Sequence, residues 1–168
     1  IDKYNIISMA QSLAPYAIMS LGVTFVIATG GIDLSIGTVC IAAAVVSGKM
    51  YTTGLVPLWA TIPIMCGIGL LFGLINGLLI AKLKIPNFIA TLGTMMFSRG
   101  LSALIVADPN IFFPSNTWYN HTFSNANGIP TGIIWVLGFM FICMYLMYKN
   151  KSGRYILAIG SNEEATRL

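Results

Sequence analysis

Charged residues are scarce in this chain, and their scarcity decides which class of protein it belongs to. Only 8% of the 168 residues are charged, whereas 57% are hydrophobic, and the mean hydropathy is +0.83. A soluble domain carries charge on about a quarter of its residues, so too few polar groups are present here to cover a surface exposed to water. The composition therefore excludes an ordinary soluble domain and indicates that lipid is the solvent.

Residues that serve catalysis or metal binding are equally sparse. His121 is the single histidine, and Cys40, Cys66 and Cys143 all lie inside apolar runs. Cysteines in such positions are typical of small hydrophobic packing rather than of disulfides or metal sites. The GxxxxGK[ST] loop that binds nucleotide phosphates is also missing. We therefore predict that the chain is not an enzyme, holds no metal or cofactor, and binds no ATP itself.

Long uncharged runs recur along the chain, and an α-helix needs about 20 such residues to cross ~30 Å of hydrocarbon. They predict an all-α, polytopic transmembrane helical bundle with about five spans in residues 1–148, and an outer loop at about 108–131. The second run is short, so either the bilayer is thin there or the preceding glycine break lies within the membrane. The expected spans cover residues 6–29, 34–49, 57–81, 85–107 and 132–148.

The net charge of +4 comes from basic residues at the ends of apolar runs. These residues form no stripe, so we expect no nucleic-acid partner. Lys82, Lys84 and the basic residues of 149–154 lie on one side of the membrane if two spans separate them, and the positive-inside rule makes that side cytoplasmic. Residues 149–168 are then a cytoplasmic loop. The chain begins at Ile1 without an initiator methionine, which predicts an internal piece of a longer protein.

Asp33 is the only acid between residues 6 and 107. An ionised group at membrane depth is costly unless it faces protein or water. Two interpretations remain open: Gly31, Asp33 and Ser35 line a solute path, or Asp33 caps the helix that follows the Gly30–Gly31 break.

Two further polar residues lie inside expected spans. Asn76 adjoins a face with glycine at every fourth position (69, 73 and 77), which allows helices to approach closely. We expect Asn76 to form hydrogen bonds between helices, with contact to a solute as the second possibility. Arg99 is expected to reach the outer interface or to pair with a carboxylate inside the bundle, and it is a further candidate residue of the solute path.

The tail contains the pattern of a helix start. Ser161 and Glu164 have the spacing of a capping box. This pattern predicts a short exposed helix that begins at Ser161 after a turn at Gly160. The pattern alone is compatible with a helix that has no partner.

Three motifs, in this order, resemble the signatures of ABC import permeases for ribose, xylose and similar sugars. They are GGIDLSIG at 30–37, IPNFIATLGT followed by SRG within 85–100, and SGRYILAIGSNEEATRL at 152–168. The resemblance implies a multi-pass protein of the bacterial cytoplasmic (inner) membrane that moves a sugar. It also implies an ATP-binding cassette subunit, an extracytoplasmic sugar-binding protein and a second permease copy, identical or not, as partners. The family's first span and C-terminal half are missing from this chain.

The resemblance further implies that the tail contains the coupling helix that docks on the ATPase. The residues so assigned are Gly153, Arg154, Gly160, Ser161, Asn162, Glu163, Glu164, Ala165 and Arg167. Alternatives remain for the cargo, since related permeases carry nucleosides, branched-chain amino acids or a furanosyl signalling molecule, although the GIDLS motif disfavours amino acids. An intramembrane enzyme or assembly factor is the alternative from another class.

Overall fold

The computed structural model describes residues 3–105, 118, 122, 125–126 and 129–161. Most of the predicted outer loop and residues 162–168 of the tail therefore lie outside the described residues. A 3₁₀ turn, Leu58–Ala60, precedes α3, and a short antiparallel pair, β1 (Asn125–Ala126) and β2 (Ile129–Pro130), precedes α5. Among the described residues, the α-helices are α1 (Lys3–Ala28), α2 (Ile36–Thr52), α3 (Thr61–Ala81), α4 (Asn87–Ile105), α5 (Thr131–Tyr148) and α6 (Lys151–Ser161).

Four of the helices are long and apolar enough to cross a membrane. These stretches are Tyr4–Ala28, Leu58–Ala81, Asn87–Ile105 and Thr131–Tyr148. Helix α2 is apolar but shorter, at 17 residues. The predicted all-α transmembrane class is confirmed, and each of the five predicted runs corresponds to one observed helix.

The helices form two units, of which the first comprises Ile1–Gly31 and Pro114–Leu168. In this unit α1 and α5 run parallel. At the start of α5, a Cβ atom added to Gly132 would lie 2.6 Å from the Cβ of Ala14, which is in the middle of α1. Near their ends, Phe25 of α1 shares a groove with Met147 and Tyr148 of α5.

Helix α6 lies across the C-terminal ends of α1 and α5. Gly153 is buried, and a Cβ atom there would overlap the carbonyl oxygens of Leu146 and Met147 at the end of α5. A Cβ atom on Gly160 would overlap the carbonyl oxygen of Ala28 at the end of α1. Two glycines seven positions apart, on one face of the helix, therefore allow its backbone to lie against both spans.

The predicted start of a tail helix at Ser161 is wrong. Helix α6 begins at Lys151 and contains both Gly160 and Ser161, and the hydroxyl of Ser161 donates back to the carbonyl of Ala158 at 3.0 Å. A capping box describes only the short-range bonds of Ser161. Contact with the end of α1, a long-range interaction, favours helix up to Gly160.

The second unit, Ile32–Phe113, contains α2, α3 and α4. Asn76 of α3 contacts Ser35 before α2 and Thr94 of α4, and Phe72 lies against Phe97 with 6.1 Å between ring centroids. Helix α3 is therefore antiparallel to both of its neighbours, and α2 runs parallel to α4.

Polar side chains line the interior of this second unit, while its outer surface is apolar. Thr91, Thr94 and Ser98 are buried on one face of α4 at 2%, 7% and 0% exposure. Leu70 and Leu104, by contrast, are 75% and 85% exposed. This distribution suits a bundle whose outside meets lipid and whose helices adhere through polar contacts. No buried side-chain nitrogen or oxygen atom of the described residues lacks a hydrogen-bond partner.

Candidate functional site: a polar cleft at the break before α2

The segment between α1 and α2 is not helical, and glycine makes this break possible. Gly30 adopts a positive φ of 77°, which a residue with a side chain rarely accepts. The N–H of Gly31 returns to the carbonyl of Val26 at 3.0 Å and closes the end of α1. The following residues are released from the helix and adopt their own local bonds.

Asp33 organises the residues just before α2. Its Oδ1 accepts hydrogen bonds from both the N–H and the hydroxyl of Ser35, each at 2.7 Å. Ser35, not Asp33, occupies the N-cap position, and its side chain makes no capping bond. Asp33 thus binds Ser35, the residue that precedes the helix. One of the two interpretations of Asp33 was that it caps the helix itself, and the observed bonds differ from that.

The break lies well below the ends of the neighbouring helices. Asn76, the partner of Ser35, is five residues from the end of α3, or about 7–8 Å at ~1.5 Å per residue. Thr94 is seven residues into α4, or about 10 Å. Ser35, which follows the glycine break, therefore lies inside the ends of α3 and α4, which agrees with the second of the two explanations for the short second run.

A chain of hydrogen bonds joins all three helices at this level. The Nδ2 of Asn76 donates to the hydroxyl of Ser35 at 3.1 Å. The hydroxyl of Thr94 donates to the Oδ1 of Asn76. The expectation that Asn76 bonds between helices is confirmed.

An open cleft of about 450 Å³ lies between α2 and α3 beside this chain. Asp33, Ser35 and Asn76 form its polar end, and Gly69 and Gly73 form part of the α3 wall. A Cβ atom added at either glycine would meet nothing within 4 Å. The glycine face, which would permit close helix contact, thus borders open space in this unit. The remaining lining residues are Ile36, Val39, Cys40, Ala43, Ala44, Met65, Cys66 and Phe72.

The described lining of the cleft carries one carboxylate and no basic side chain. No group of three or more His, Cys, Asp or Glu residues in the described part of the chain is arranged to hold a metal ion. The cleft therefore offers hydrogen-bond acceptors and small or apolar walls, a lining suited to a neutral solute that carries hydroxyl groups.

Other residues singled out in the sequence lie elsewhere. Arg99 is exposed on α4 and is absent from the described cleft lining. Gly31 is buried at the break, and Arg154 is exposed on α6. Of the proposed coupling residues, Asn162, Glu163, Glu164, Ala165 and Arg167 lie outside the described residues.

Sequence reasoning missed the part that α4 plays at this site. Thr94 completes the chain of bonds, and Ser98 lies 2.8 Å from the hydroxyl of Thr38 on α2. The spacing of Thr91, Thr94 and Ser98 places their hydroxyls on one helix face. That spacing was a signal for a polar buried face, although hydroxyls are too common in membrane helices to identify their partners.

Four apolar helices of spanning length among the described residues, together with a cleft that has a polar end, define a polytopic membrane protein. The chain belongs to the family described as "Branched-chain amino acid transport system / permease component", which matches residues 5–168.

Similar curated proteins are sugar permeases by name. The chain is 35% identical to the ribose import permease protein of Haemophilus influenzae, over 98% of this chain and 52% of that protein. It is 39% identical to the ribose import permease protein of Bacillus subtilis, over 98% of this chain and 52% of that protein. It is also 35% identical to the galactofuranose transporter permease protein of Escherichia coli K12, over 96% of this chain and 47% of that protein. The chain thus spans about half the length of these relatives.

These matches confirm the resemblance to ribose-type ABC permeases that three motifs predicted. They also confirm the predicted location, because a permease of this family with several spanning helices is a multi-pass protein of the bacterial inner membrane. No solved structure matches the chain.

Proposed function

We propose that this chain is part of the permease subunit of a bacterial ABC importer, and that the cleft beside Asp33 forms part of the path of a sugar. The observation that carries the proposal is a non-helical segment that leads to Ser35, inside the ends of α3 and α4, beside an open cleft with Asp33, Ser35 and Asn76 at its polar end. Irregular backbone is tolerated at that depth only where it is buried in protein or lines a cavity. The printed names of the relatives, ribose and galactofuranose permeases, support a sugar as the cargo.

In this proposal the sugar arrives from an extracytoplasmic binding protein, and a separate ATP-binding cassette subunit hydrolyses ATP. A second permease copy completes the pathway. The tail, residues 149–168, faces the cytoplasm and contacts the ATPase through Glu163, Glu164 and Arg167. Alternating access moves the sugar from one side of the membrane to the other.

The position of α6 suggests how force reaches the spans. Gly153 lies against the end of α5, and Gly160 lies against the end of α1. Because these contacts are backbone contacts without intervening side chains, a displacement of the tail moves the ends of both spans together. In this proposal α6 transmits the movement of the ATPase to the two spans through Gly153, Arg154, Gly160 and Ser161. The residues beyond Ser161 form the docking surface.

A different cargo within the same class is the second candidate. A nucleoside presents ribose hydroxyls to the same acceptors and fits the proposal. A branched-chain amino acid fits less well, because its carboxylate finds no cation among the described residues that line the cleft. An intramembrane enzyme requires converging acid, base and nucleophile groups. Beside Asp33 the described lining offers the hydroxyl of Ser35, the amide of Asn76 and two cysteine thiols, but no histidine, lysine or second acid.

The test uses the full-length permease, reconstituted with its ATPase and binding protein, and measures uptake of labelled ribose. Glu163→Lys combined with Glu164→Lys is expected to abolish co-purification of the ATPase and to lower uptake at least tenfold. Lys49→Glu, a charge reversal beyond the far end of the cleft, serves as the control and should retain both. Normal ATPase association and uptake in the double variant would refute the coupling assignment.

A further inference from the structure

We propose that Asn76 and Thr94 are positioning residues for solute recognition, through a directed chain of hydrogen bonds that ends on Asp33. The chain orients the carboxylate so that its second oxygen accepts hydroxyl groups of a neutral polyol in the cleft. This inference rests on the proposed function, and it adds the residues that set specificity and the chemical class that they select.

The direction of the chain follows from the donors available. The hydroxyl of Ser35 donates its one proton to Oδ1 of Asp33, at 2.7 Å. The oxygen of the same hydroxyl therefore acts as the acceptor for Nδ2 of Asn76, at 3.1 Å. With its NH₂ group turned to Ser35, the amide of Asn76 turns its oxygen to Thr94, which donates to it. Every bond therefore points from α4 through α3 towards the carboxylate.

Burial excludes water from these bonds. Ser35 is 2% exposed, and Asn76 and Thr94 are each 7% exposed. In such surroundings hydrogen bonds polarise one another, and a donor that loses its partner pays the full cost of desolvation. Only one arrangement of the Asn76 amide and the Ser35 hydroxyl gives each of them its hydrogen-bond partners. This arrangement fixes the position of Oδ1 of Asp33.

The other carboxylate oxygen is left for a ligand. Both bonds to Asp33 end on Oδ1, and no described residue donates to Oδ2. Because no buried side-chain oxygen of the described residues lacks a partner, Oδ2 is open, and Asp33 lines the cleft. An ionised carboxylate accepts and does not donate, and its bonds to hydroxyl groups are short and strong.

The chemistry of the walls restricts the ligand further. The described lining has no basic side chain to meet an anionic group, whereas Phe72 and Met65 offer apolar surface to carbon-bound hydrogens. A sugar presents both hydroxyl donors and such apolar faces. The geometry therefore selects a neutral polyhydroxy compound over an amino acid.

If Asn76 and Thr94 had a purely structural role, they would only hold the helices together. Another hydrogen bond between helices, at Ser98, provides a matched control for that role. Ser98 is fully buried, and its hydroxyl lies 2.8 Å from that of Thr38, so this contact also joins α4 to α2. Neither Ser98 nor Thr38 is bonded to the Asp33 carboxylate, and neither lines the cleft. Removal of the Ser98 hydroxyl deletes a hydrogen bond of the same kind between helices but leaves the bonds to Asp33 unchanged.

The experiment measures protection of Cys40, which lines the cleft. Full-length permease in membrane vesicles keeps Cys40 as its one cysteine, and the rate of modification by a small methanethiosulfonate reagent is followed against ribose concentration. Thr94→Val and Ser35→Ala are expected to raise the half-protecting ribose concentration about threefold to tenfold, the factor of one net hydrogen bond. Thr94→Ser, which keeps the donor, and Ser98→Ala should match the parent, and leucine should not protect.

Other results would overturn the inference. Suppose that ribose protects the parent and that Thr94→Val and Ser98→Ala change the half-protecting ribose concentration equally, or that neither changes it. The hydrogen bonds from Thr94 through Asn76 would then serve only to hold the helices together. Protection by leucine at a lower concentration than ribose would refute the polyol class. If vesicles with ATPase and binding protein take up ribose while ribose never protects Cys40, the cleft is not the path. Absence of ribose uptake as well would refute ribose as the cargo in the proposed function.

Discussion

The hydroxyl of Ser98 on α4 lies 2.8 Å from the hydroxyl of Thr38 on α2. Further back on the same two helices, Thr91 lies 3.4 Å from the carbonyl of Ile32, just before α2. Residues that advance together along both helices show that α2 and α4 run in the same direction. Because α3 packs antiparallel to both of them, we expect the 17-residue α2 to cross the membrane in the same direction as α4, despite its shorter length.

The direction of α2 predicts which charges face which side. Lys49 near the end of α2 and Lys82 after α3 should lie on opposite sides of the membrane, with Lys82 in the cytoplasm by the positive-inside rule. In intact cells, a membrane-impermeant thiol reagent should modify Lys49→Cys but not Lys82→Cys. In inverted vesicles the preference should reverse. Modification of both from one side would show that α2 does not cross.

Filling the cleft should stop transport without unfolding the protein. Gly73 lines the cleft, and a Cβ atom there meets nothing within 4 Å. Gly73→Leu in the full-length permease is expected to lower ribose uptake at least tenfold while protein abundance stays unchanged. Gly67→Leu, on the same helix but absent from the described cleft lining, is the control and should transport normally. Equal loss in both variants would point to a general effect on α3.

The charge of Asp33 should matter more than its shape. Asp33→Asn keeps an oxygen that accepts from Ser35 but removes the negative charge and places a donor where the carboxylate had only acceptors. We expect ribose uptake to fall about tenfold or more, with the thermal stability of the purified protein little changed, because the carboxylate is only half-buried. Uptake at the parent's rate would favour a local structural role for Asp33.

The close packing of α6 on α5 should make Gly153 intolerant of a side chain. Gly153→Ala forces a methyl group onto the carbonyl oxygens of Leu146 and Met147, and overpacking of this kind costs about 1–3 kcal/mol. Gly138→Ala on α5 adds the same methyl group in open space. Thermal unfolding of the full-length permease in detergent should show a lower midpoint for the first variant only. Equal midpoints would contradict the contact between α6 and the end of α5.

The course of the helices was predictable because it depends on local composition. Uncharged runs bounded by Lys49, Lys82 and Lys149 mark the ends of α2, α3 and α5 to within a few residues. A span must satisfy its own backbone in lipid, so an apolar run of sufficient length is almost bound to be helical. Even the short run before Lys49 was recognised as abnormal, and the depth of Ser35 supplies the reason.

The contacts within the site were less predictable because they join residues far apart in the sequence. Asn76 was expected to bond between helices, but nothing in its own neighbourhood identifies Ser35 or Thr94 as its partners, which lie 41 and 18 positions away. The same limit explains the error at Ser161, where a local capping pattern gave no sign that Gly160 contacts the end of α1. Short-range patterns predict elements, but they do not show whether a glycine such as Gly160 makes a turn or stays helical against another helix.

The most direct measurement is a cryo-electron microscopy map of the full-length permease with ribose, trapped together with its ATPase. The account predicts density for the sugar between α2 and α3, with a hydroxyl oxygen about 2.5–2.8 Å from Oδ2 of Asp33 and the bonds from Thr94 through Asn76 intact. Density for the sugar elsewhere in the membrane region, with the cleft beside Gly69 and Gly73 filled by another helix, would contradict it.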